Sequence, residues 1–136
     1  ILFVTHDFDE ALRLADRIAI MKDGVIEQID TPANIVLNPA TEYIAKFTRG
    51  VPRARVLSCK TVMAQYDANA DMSDIRVSQN AIIETIAERV LSEQKTVAVT
   101  DEQGEIVGVL NSKIIIQVLF GEANDIPVND TAVSQA

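Results

Sequence analysis

The chain contains one histidine, His6, whose side chain could take part in a reaction. It follows the apolar residues 1–4 and lies between Thr5 and Asp7. A neutral imidazole carries one hydrogen-bond donor and one acceptor, so a histidine at a fixed position can align two partners near neutral pH. Residue type alone favours a surface or capping role, because a lone histidine at the end of a strand is more often structural than catalytic. The sequence around His6 must therefore decide its role.

Cys59 is the single cysteine, so it has neither a partner for an internal disulfide nor a second thiol at metal-ligand spacing. A lone cysteine suits a reducing compartment, and we interpret Cys59 as a small core residue. The sequence shows no group of ligands at metal-binding spacing, and we predict no metal site.

Composition and charge argue against some classes of function. Twelve Lys and Arg residues against twenty Asp and Glu residues give a net charge of −8, which disfavours a surface that follows nucleic-acid phosphates. No apolar run reaches the roughly 18 residues that a membrane-spanning helix needs, and no charged segment precedes the opening apolar run. We therefore expect a soluble chain that binds no nucleic acid, is not inserted in a membrane and has no signal peptide.

The first fifty residues predict the elements that must hold His6. Asp7 followed by Glu10 is a variant of the capping box that begins a helix, and Asp23-Gly24 is a strong signal for a tight turn between two strands. Thr31 before Pro32 begins a further helix. The predicted order is a buried strand at 1–4, a helix over about 8–17, hairpin strands at 18–21 and 25–29, and two helices interrupted at 38–39 and ending at Gly50.

These fifty residues resemble the end of the nucleotide-binding domain of ABC transporters. The resemblance is carried by VTHD at 4–7 and by DEALRLADRIAIMKDGVIEQIDTPANIVLNPATEYIAKF at 9–47. In that family the histidine after the strand is the switch histidine, which contacts the terminal phosphate of ATP, and the resemblance gives this role to His6. Gln28, Thr31-Pro32 and the spacing to Phe47 are most similar to importers of glycine betaine, proline and choline-type osmolytes.

The resemblance implies a longer parent protein that uses ATP with Mg. This chain lacks the G-x-x-x-x-G-K-[ST] loop (Walker A) and the upstream acidic residues (Walker B), so we expect the piece itself to be inactive and to need no cofactor. The family further implies a permease partner and a peripheral location on the cytoplasmic face of the cell membrane. Whether residues 1–50 fold natively without the rest of the ATPase is left open.

The second part of the sequence predicts a further domain. VPRARV at 51–56 marks a shift in composition, so we place a boundary there and interpret 51–71 as a linker. Ser78 is predicted to cap an amphipathic helix that buries Ile82, Ile86 and Val90. The remaining predictions are a loop at 65–73, a short strand at 75–77, hairpin strands at 96–100 and 106–110, and a helix that begins at Asn111-Ser112 and ends at Gly121.

Residues 72–121 resemble one cystathionine-β-synthase-type (CBS) domain of βαββα order, centred on TVAVTDEQGEIVGVLN at 96–111. The predicted fold class is therefore α/β (α+β), an ABC ATPase remnant followed by a CBS domain. CBS domains usually come in tandem pairs, and a single copy leaves an apolar face without a partner. We expect a two-fold homodimer through CBS pairing, which modulates transport by biasing the ATPase dimer.

Two further interpretations concern ligands and salt. Ligand-binding CBS sequences resemble G-h-x-T-x-x-D, whereas here Asn111 replaces the hydroxyl residue and Ile114 replaces the carboxylate that anchors ribose. Ser112 and Lys113 could still meet a phosphate, so the candidate nucleotide cleft is Asn111, Ser112 and Lys113, although an empty cleft is favoured over AMP or ATP. The acidic tail at 122–136 is either an ionic-strength sensor or a frayed terminus, and the second is favoured.

Overall fold

The computed structural model describes residues 2–121 and 126–127, which fall into two compact units, Ile1–Pro52 and Arg53–Ala136. The acidic residues of the predicted tail, Glu122, Asp125 and Asp130, lie outside the described residues. Helices and strands occur in both units, which confirms the α+β class. In the described ranges no helix is both long enough and apolar enough to cross a bilayer.

The first unit consists of a short helix, a hairpin and two more short helices. The elements are α1 (Phe8–Leu14), β1 (Ile18–Lys22), β2 (Val25–Asp30), α2 (Pro32–Leu37) and α3 (Glu42–Thr48). Each helix begins at a side chain that accepts a backbone hydrogen bond three residues on: Asp7 from Glu10, Thr31 from Asn34, and Thr41 from Ile44. The unit buries Leu12, Ile18, Ile35, Val36, Leu37 and Ile44.

The predicted turn between the hairpin strands is confirmed. Asp23 and Gly24 both have positive φ, 52° and 81°, and β1 and β2 pair antiparallel on either side of them. A tight turn with two positive φ angles matches the twist of the strands, and Asp-Gly adopts it at low cost. The local sequence therefore sets the register of this hairpin.

The predicted strand at residues 1–4 is wrong for the residues described. Residues 2–5 have no regular secondary structure, and Leu2 and Val4 are 93% and 82% exposed. A strand needs a neighbour for its backbone hydrogen bonds, and among the described residues β1 pairs with β2 alone, which leaves no strand beside residues 2–4. α1 also ends at Leu14 rather than near residue 17, because Ala15 is already extended where the chain turns towards β1.

The second unit is a three-stranded sheet with helices between and after its strands. After a short 3-10 helix (Arg53–Arg55), the elements are α4 (Cys59–Val62), β3 (Met72–Ser78), α5 (Ile83–Ser92), β4 (Thr96–Thr100), β5 (Ile106–Leu110) and α6 (Ser112–Phe120). From Met72 onwards the order is strand, helix, strand, strand, helix, as predicted, but β3 begins at Met72, inside the predicted loop at 65–73 and three residues before the predicted strand at 75–77. The sheet order is β3-β4-β5, with β3 parallel and β5 antiparallel to the central strand. The three middle residues of β4 are buried, as expected for a central strand.

Much of the segment predicted as a linker is folded. Leu57, Cys59 and Val62 are fully buried, and the backbone of this segment pairs with the turn before α5. Cys59 N donates to the carbonyl of Ala81, and Ile83 N donates to the carbonyl of Leu57, both at 2.9 Å. The segment 53–64 thus belongs to the second unit and contributes buried side chains to its core.

The same pairing explains why α5 begins later than predicted. Ser78 is the last residue of β3, and its hydroxyl accepts from Asn80 N in a turn rather than capping a helix. Ile82 is held extended by a bridge to Ser58, and α5 starts only at Ile83. Backbone bonds between distant segments have overridden the local capping signal.

Gly108 lies where β5 meets the segment 63–64. Ala64 and Val109 exchange two backbone hydrogen bonds, each 3.0 Å long. A Cβ atom at position 108 would lie 2.5 Å from Met63 Sδ and 2.9 Å from the carbonyl oxygen of Ala64. The glycine therefore allows β5 to pack closely against the segment before β3.

Candidate functional site

His6 lies on a bend immediately before α1 and is exposed. It lines an open depression of about 670 Å³ in the first unit. The other lining residues are Asp7, Phe8, Asp9, Phe47, Gly50 and Val51. The imidazole is thus accessible to a ligand that enters this depression.

Three hydrogen bonds connect the residues that precede and follow His6 in the sequence. Thr5 Oγ1 donates to Glu10 Oε2 at 2.9 Å, while Asp7 N donates to Thr5 Oγ1 at 3.0 Å. Glu10 N donates to Asp7 Oδ1 at 3.0 Å. We call these three bonds among Thr5, Asp7 and Glu10 the capping ring. None of them involves the imidazole of His6, which is therefore left available for another partner.

An aromatic cluster connects α1 with α3 beside the depression. The rings of Phe8 and Phe47 meet edge to face with centroids 6.1 Å apart, and those of Tyr43 and Phe47 meet in the same way at 4.9 Å. Lys22 Nζ lies 4.8 Å from the centroid of the Tyr43 ring. Edge-to-face pairs are favourable arrangements of aromatic rings, so this cluster fixes the helix that follows His6.

The chemistry of the depression is limited. Its lining contains two carboxylates, Asp7 and Asp9, and no Lys or Arg. A single imidazole can donate one hydrogen bond to a phosphate oxygen, but it cannot hold a polyphosphate beside two carboxylates. Among the residues that line the depression, His6 is the one whose side chain can donate a hydrogen bond to an anion.

The predicted nucleotide residues of the second unit lie at the start of α6. Asn111 Oδ1 accepts from Ile114 N at 3.0 Å, so the amide side chain acts as the helix cap. Ser112 is half-buried, Lys113 is exposed, and Ile114 is buried. Ile114, which the predicted CBS correspondence places where a ribose carboxylate would be, is a core residue.

The structure brings together residues that the sequence did not single out as a site. In the first unit the hydroxyl of Thr5 donates a hydrogen bond to the carboxylate of Glu10. In the second unit the hydroxyls of Ser58 and Thr61 share a hydrogen bond of 3.1 Å. Thr5 beside His6 was visible in the sequence, but the bond to Glu10 depends on how the chain bends at His6. His6 and the group at Asn111 belong to different units.

Cys59 shows the properties predicted for a core residue. Its side chain is fully buried, and desolvation raises the pKa of the thiol to about 11, although a backbone hydrogen bond acts in the opposite direction. The thiol is therefore protonated near neutral pH, and a protonated buried thiol is neither a nucleophile nor a metal ligand. Over the ranges that the structure describes, no three His, Cys, Asp or Glu side chains are grouped as a metal site.

Comparison with known proteins identifies relatives of both units. A trimethylamine N-oxide transport system ATP-binding protein of Pelagibacter ubique is 61% identical over 120 residues, which are 88% of this chain and 35% of that protein. This chain is homologous to the ATP-binding subunits of ABC osmolyte transporters. The match leaves at most 16 of the 136 residues outside it, so it includes parts of both units.

Other relatives of this family carry related names. The corresponding trimethylamine N-oxide protein of Ruegeria pomeroyi is 40% identical over 120 residues, which are 88% of this chain and 34% of that protein. A glycine betaine transport ATP-binding protein of Bacillus subtilis is 37% identical over 110 residues, 81% of this chain and 25% of that protein. The chain thus spans about a third or less of the length of these relatives. No family model and no solved structure matches it.

Proposed function

We propose that this chain is the C-terminal portion of the ATP-binding subunit of an ABC importer for small methylated osmolytes, with trimethylamine N-oxide or glycine betaine as the solute class. The observation that supports this most strongly is the 61% identity to the Pelagibacter trimethylamine N-oxide protein. The subunit would act with a permease, peripherally on the cytoplasmic face of the cell membrane.

In this proposal the first unit contributes His6 to the ATPase site. The exposed imidazole would donate to the terminal phosphate of ATP and align the attacking water, while the remainder of the subunit would hold the phosphates and Mg. Because the lining of the depression contains Asp7 and Asp9 and no Lys or Arg, the cationic groups that bind the phosphates would have to come from the rest of the subunit. His6 would act by position, because a hydrogen bond to the transferred group stabilises charge only when its donor is fixed in advance.

The second unit would be a regulatory CBS domain that pairs with a second copy. Its order of elements supports this, as do three exposed apolar side chains that lie at i, i+3 and i+4 on one face of α6: Ile116, Leu119 and Phe120. We call these three residues the helical patch. Pairing of two such patches would connect two ATP-binding subunits and shift their balance between open and closed states.

Solute uptake tests the main proposal. The full-length subunit and its permease are reconstituted in vesicles, and ATP-dependent uptake of labelled trimethylamine N-oxide is measured with and without excess unlabelled glycine betaine, proline or choline. We expect uptake that requires ATP and that a trimethylated competitor reduces. Each competitor is then supplied in labelled form in turn, and ATP-dependent uptake that is absent for trimethylamine N-oxide, glycine betaine, proline and choline alike would contradict the proposed function.

Sedimentation equilibrium tests the pairing. We expect this chain to form a dimer, and we expect Leu119→Glu to make it monomeric, because a charge in an apolar contact is costly to desolvate. Leu14→Glu, which places the same charge at an exposed leucine of the first unit, should leave the dimer intact. A monomeric wild-type chain at high concentration would rule out CBS pairing, and dissociation at one of two salt levels would instead support the ionic-strength hypothesis.

A further inference from the structure

We propose that Thr5 and Glu10 are positioning residues for His6, and that the capping ring restricts the backbone on both sides of the histidine. This inference rests on the proposed role of His6 in the ATPase. It concerns how the imidazole is held, which none of the comparisons addresses.

The capping ring differs from an ordinary capping box in one respect. In the usual arrangement the carboxylate at the third helical position bonds to the backbone N–H of the capping residue itself. Here the capping residue is Asp7, but its N–H donates to the hydroxyl of Thr5, and Glu10 reaches that hydroxyl instead. The box is therefore extended backwards by two residues, and His6 lies inside the extension.

The Thr5 hydroxyl uses both of its hydrogen-bonding functions in this arrangement. It accepts from Asp7 N and donates to Glu10 Oε2, so Thr5 is fixed to the residue after His6 and to the first turn of α1. Valine has the same shape but can do neither. The capping bond from Glu10 N to Asp7 Oδ1 does not need the hydroxyl, so α1 keeps its cap when Thr5 is replaced.

The position of the backbone around His6 matters because the proposed role of the imidazole depends on where it lies relative to the phosphate. The imidazole is exposed, and the capping ring leaves it free to meet a phosphate, so the precision of its placement must come from the backbone. A displacement of about 1 Å at a reacting centre can cost on the order of 100-fold in rate. Loosening the backbone at Thr5 and Asp7 would produce such displacements without removing the imidazole.

The test uses the full-length subunit with its permease and measures ATP hydrolysis. We expect Thr5→Val and Glu10→Ala to lower kcat by about 10- to 100-fold while KM for ATP changes little, because the alignment of the reacting groups is lost rather than nucleotide binding. Glu10→Gln keeps an acceptor for the Thr5 hydroxyl and should retain a kcat close to that of the wild type. Glu42→Ala, which breaks an exposed ion pair on α3, serves as the matched control.

Combining Thr5→Val with His6→Ala tests the positioning role of Thr5 separately from the role of His6 itself. Thr5→Val should cause no further loss in the His6→Ala background, because a positioning residue has no effect once the group that it positions is gone. Wild-type kcat in Thr5→Val and Glu10→Ala, together with a large loss in His6→Ala, would overturn the positioning role and leave the function of His6 standing. Equal losses of kcat in Glu10→Gln and Glu10→Ala would also overturn the positioning role, and so would additive losses in the variant that combines Thr5→Val with His6→Ala. Normal turnover in His6→Ala would overturn both the positioning role and the proposed role of His6 in the ATPase.

Discussion

Replacing His6 with alanine in the full-length subunit, assayed with its permease, is expected to lower the rate of ATP hydrolysis by about 100- to 1000-fold, the range found when one preorganised hydrogen-bond donor to a reacting group is removed. The imidazole is exposed in an open depression and is not used by the capping ring, so its removal should leave the first unit folded. The effect should fall on kcat rather than on KM for ATP, because one hydrogen bond contributes little to holding a nucleotide that the remaining cationic groups and Mg bind.

Two controls make this result specific. Glu42→Ala should change turnover by less than about twofold, since exposed ion pairs contribute little to stability and the pair with Lys46 is 3.9 Å long and exposed. Circular dichroism of the His6→Ala subunit should match the wild type and so exclude loss of fold. Unchanged ATP hydrolysis in a folded His6→Ala subunit would show that the histidine is a surface residue, as its type alone suggests.

The second large effect is expected at Gly108. Gly108→Val should lower the free energy of unfolding of the second unit by about 3 kcal/mol or more, since overpacking in a filled core commonly costs 1–3 kcal/mol and here part of the clash is with backbone. The Cβ would lie 2.9 Å from the Ala64 carbonyl oxygen, which cannot move without loss of the two hydrogen bonds between Ala64 and Val109. Urea denaturation measures the free energy of unfolding, and hydrogen exchange of the amides of β4 and β5 shows whether those two strands lose stability.

A double variant separates the two components of this clash. The nearer contact, 2.5 Å, is with the flexible side chain of Met63, so Met63→Ala should recover part but not all of the stability lost in Gly108→Ala. Val107→Ala, one residue earlier on the same strand, should cost less than about 1 kcal/mol, because that side chain is partly exposed. A Gly108→Val chain with wild-type exchange rates in β5 would contradict the packing described here.

The elements that were predicted well are those with short-range causes. Asp7, Thr31 and Asn111 each cap a helix by accepting a hydrogen bond from a residue three positions on, and Asp23-Gly24 forms the turn of its hairpin. These features depend on a few neighbouring residues and on backbone preferences that those residues carry into any fold. The order of strands and helices along the chain from Met72 to Phe120 followed in the same way from the alternation of apolar residues and turn signals.

The candidate site was predicted in part. The sequence pointed to His6 as a residue that could meet a phosphate, and the structure shows it exposed at the start of α1. It did not point to the bond between Thr5 and Glu10, because that bond requires the chain to bend at His6 before the helix begins. The cleft proposed at Asn111, Ser112 and Lys113 remains a prediction, and the capping bond of Asn111 limits what that residue can offer a ligand.

The sequence by itself determined the caps at Asp7, Thr31 and Asn111, the Asp23-Gly24 turn and the order of helices and strands from Met72 to Phe120, because each depends on groups a few residues apart. Only the tertiary structure decided that residues 53–64 belong to the second unit and contribute to its core, that α5 starts at Ile83, and that Gly108 must have no side chain. Those outcomes depend on backbone hydrogen bonds between segments far apart in the chain: Cys59 N to Ala81 O and Ile83 N to Leu57 O, which flank the bridge of Ser58 with Ile82, and the pair that joins Ala64 to Val109. Such bonds form only when the whole unit folds, so no local pattern of residue types reports them.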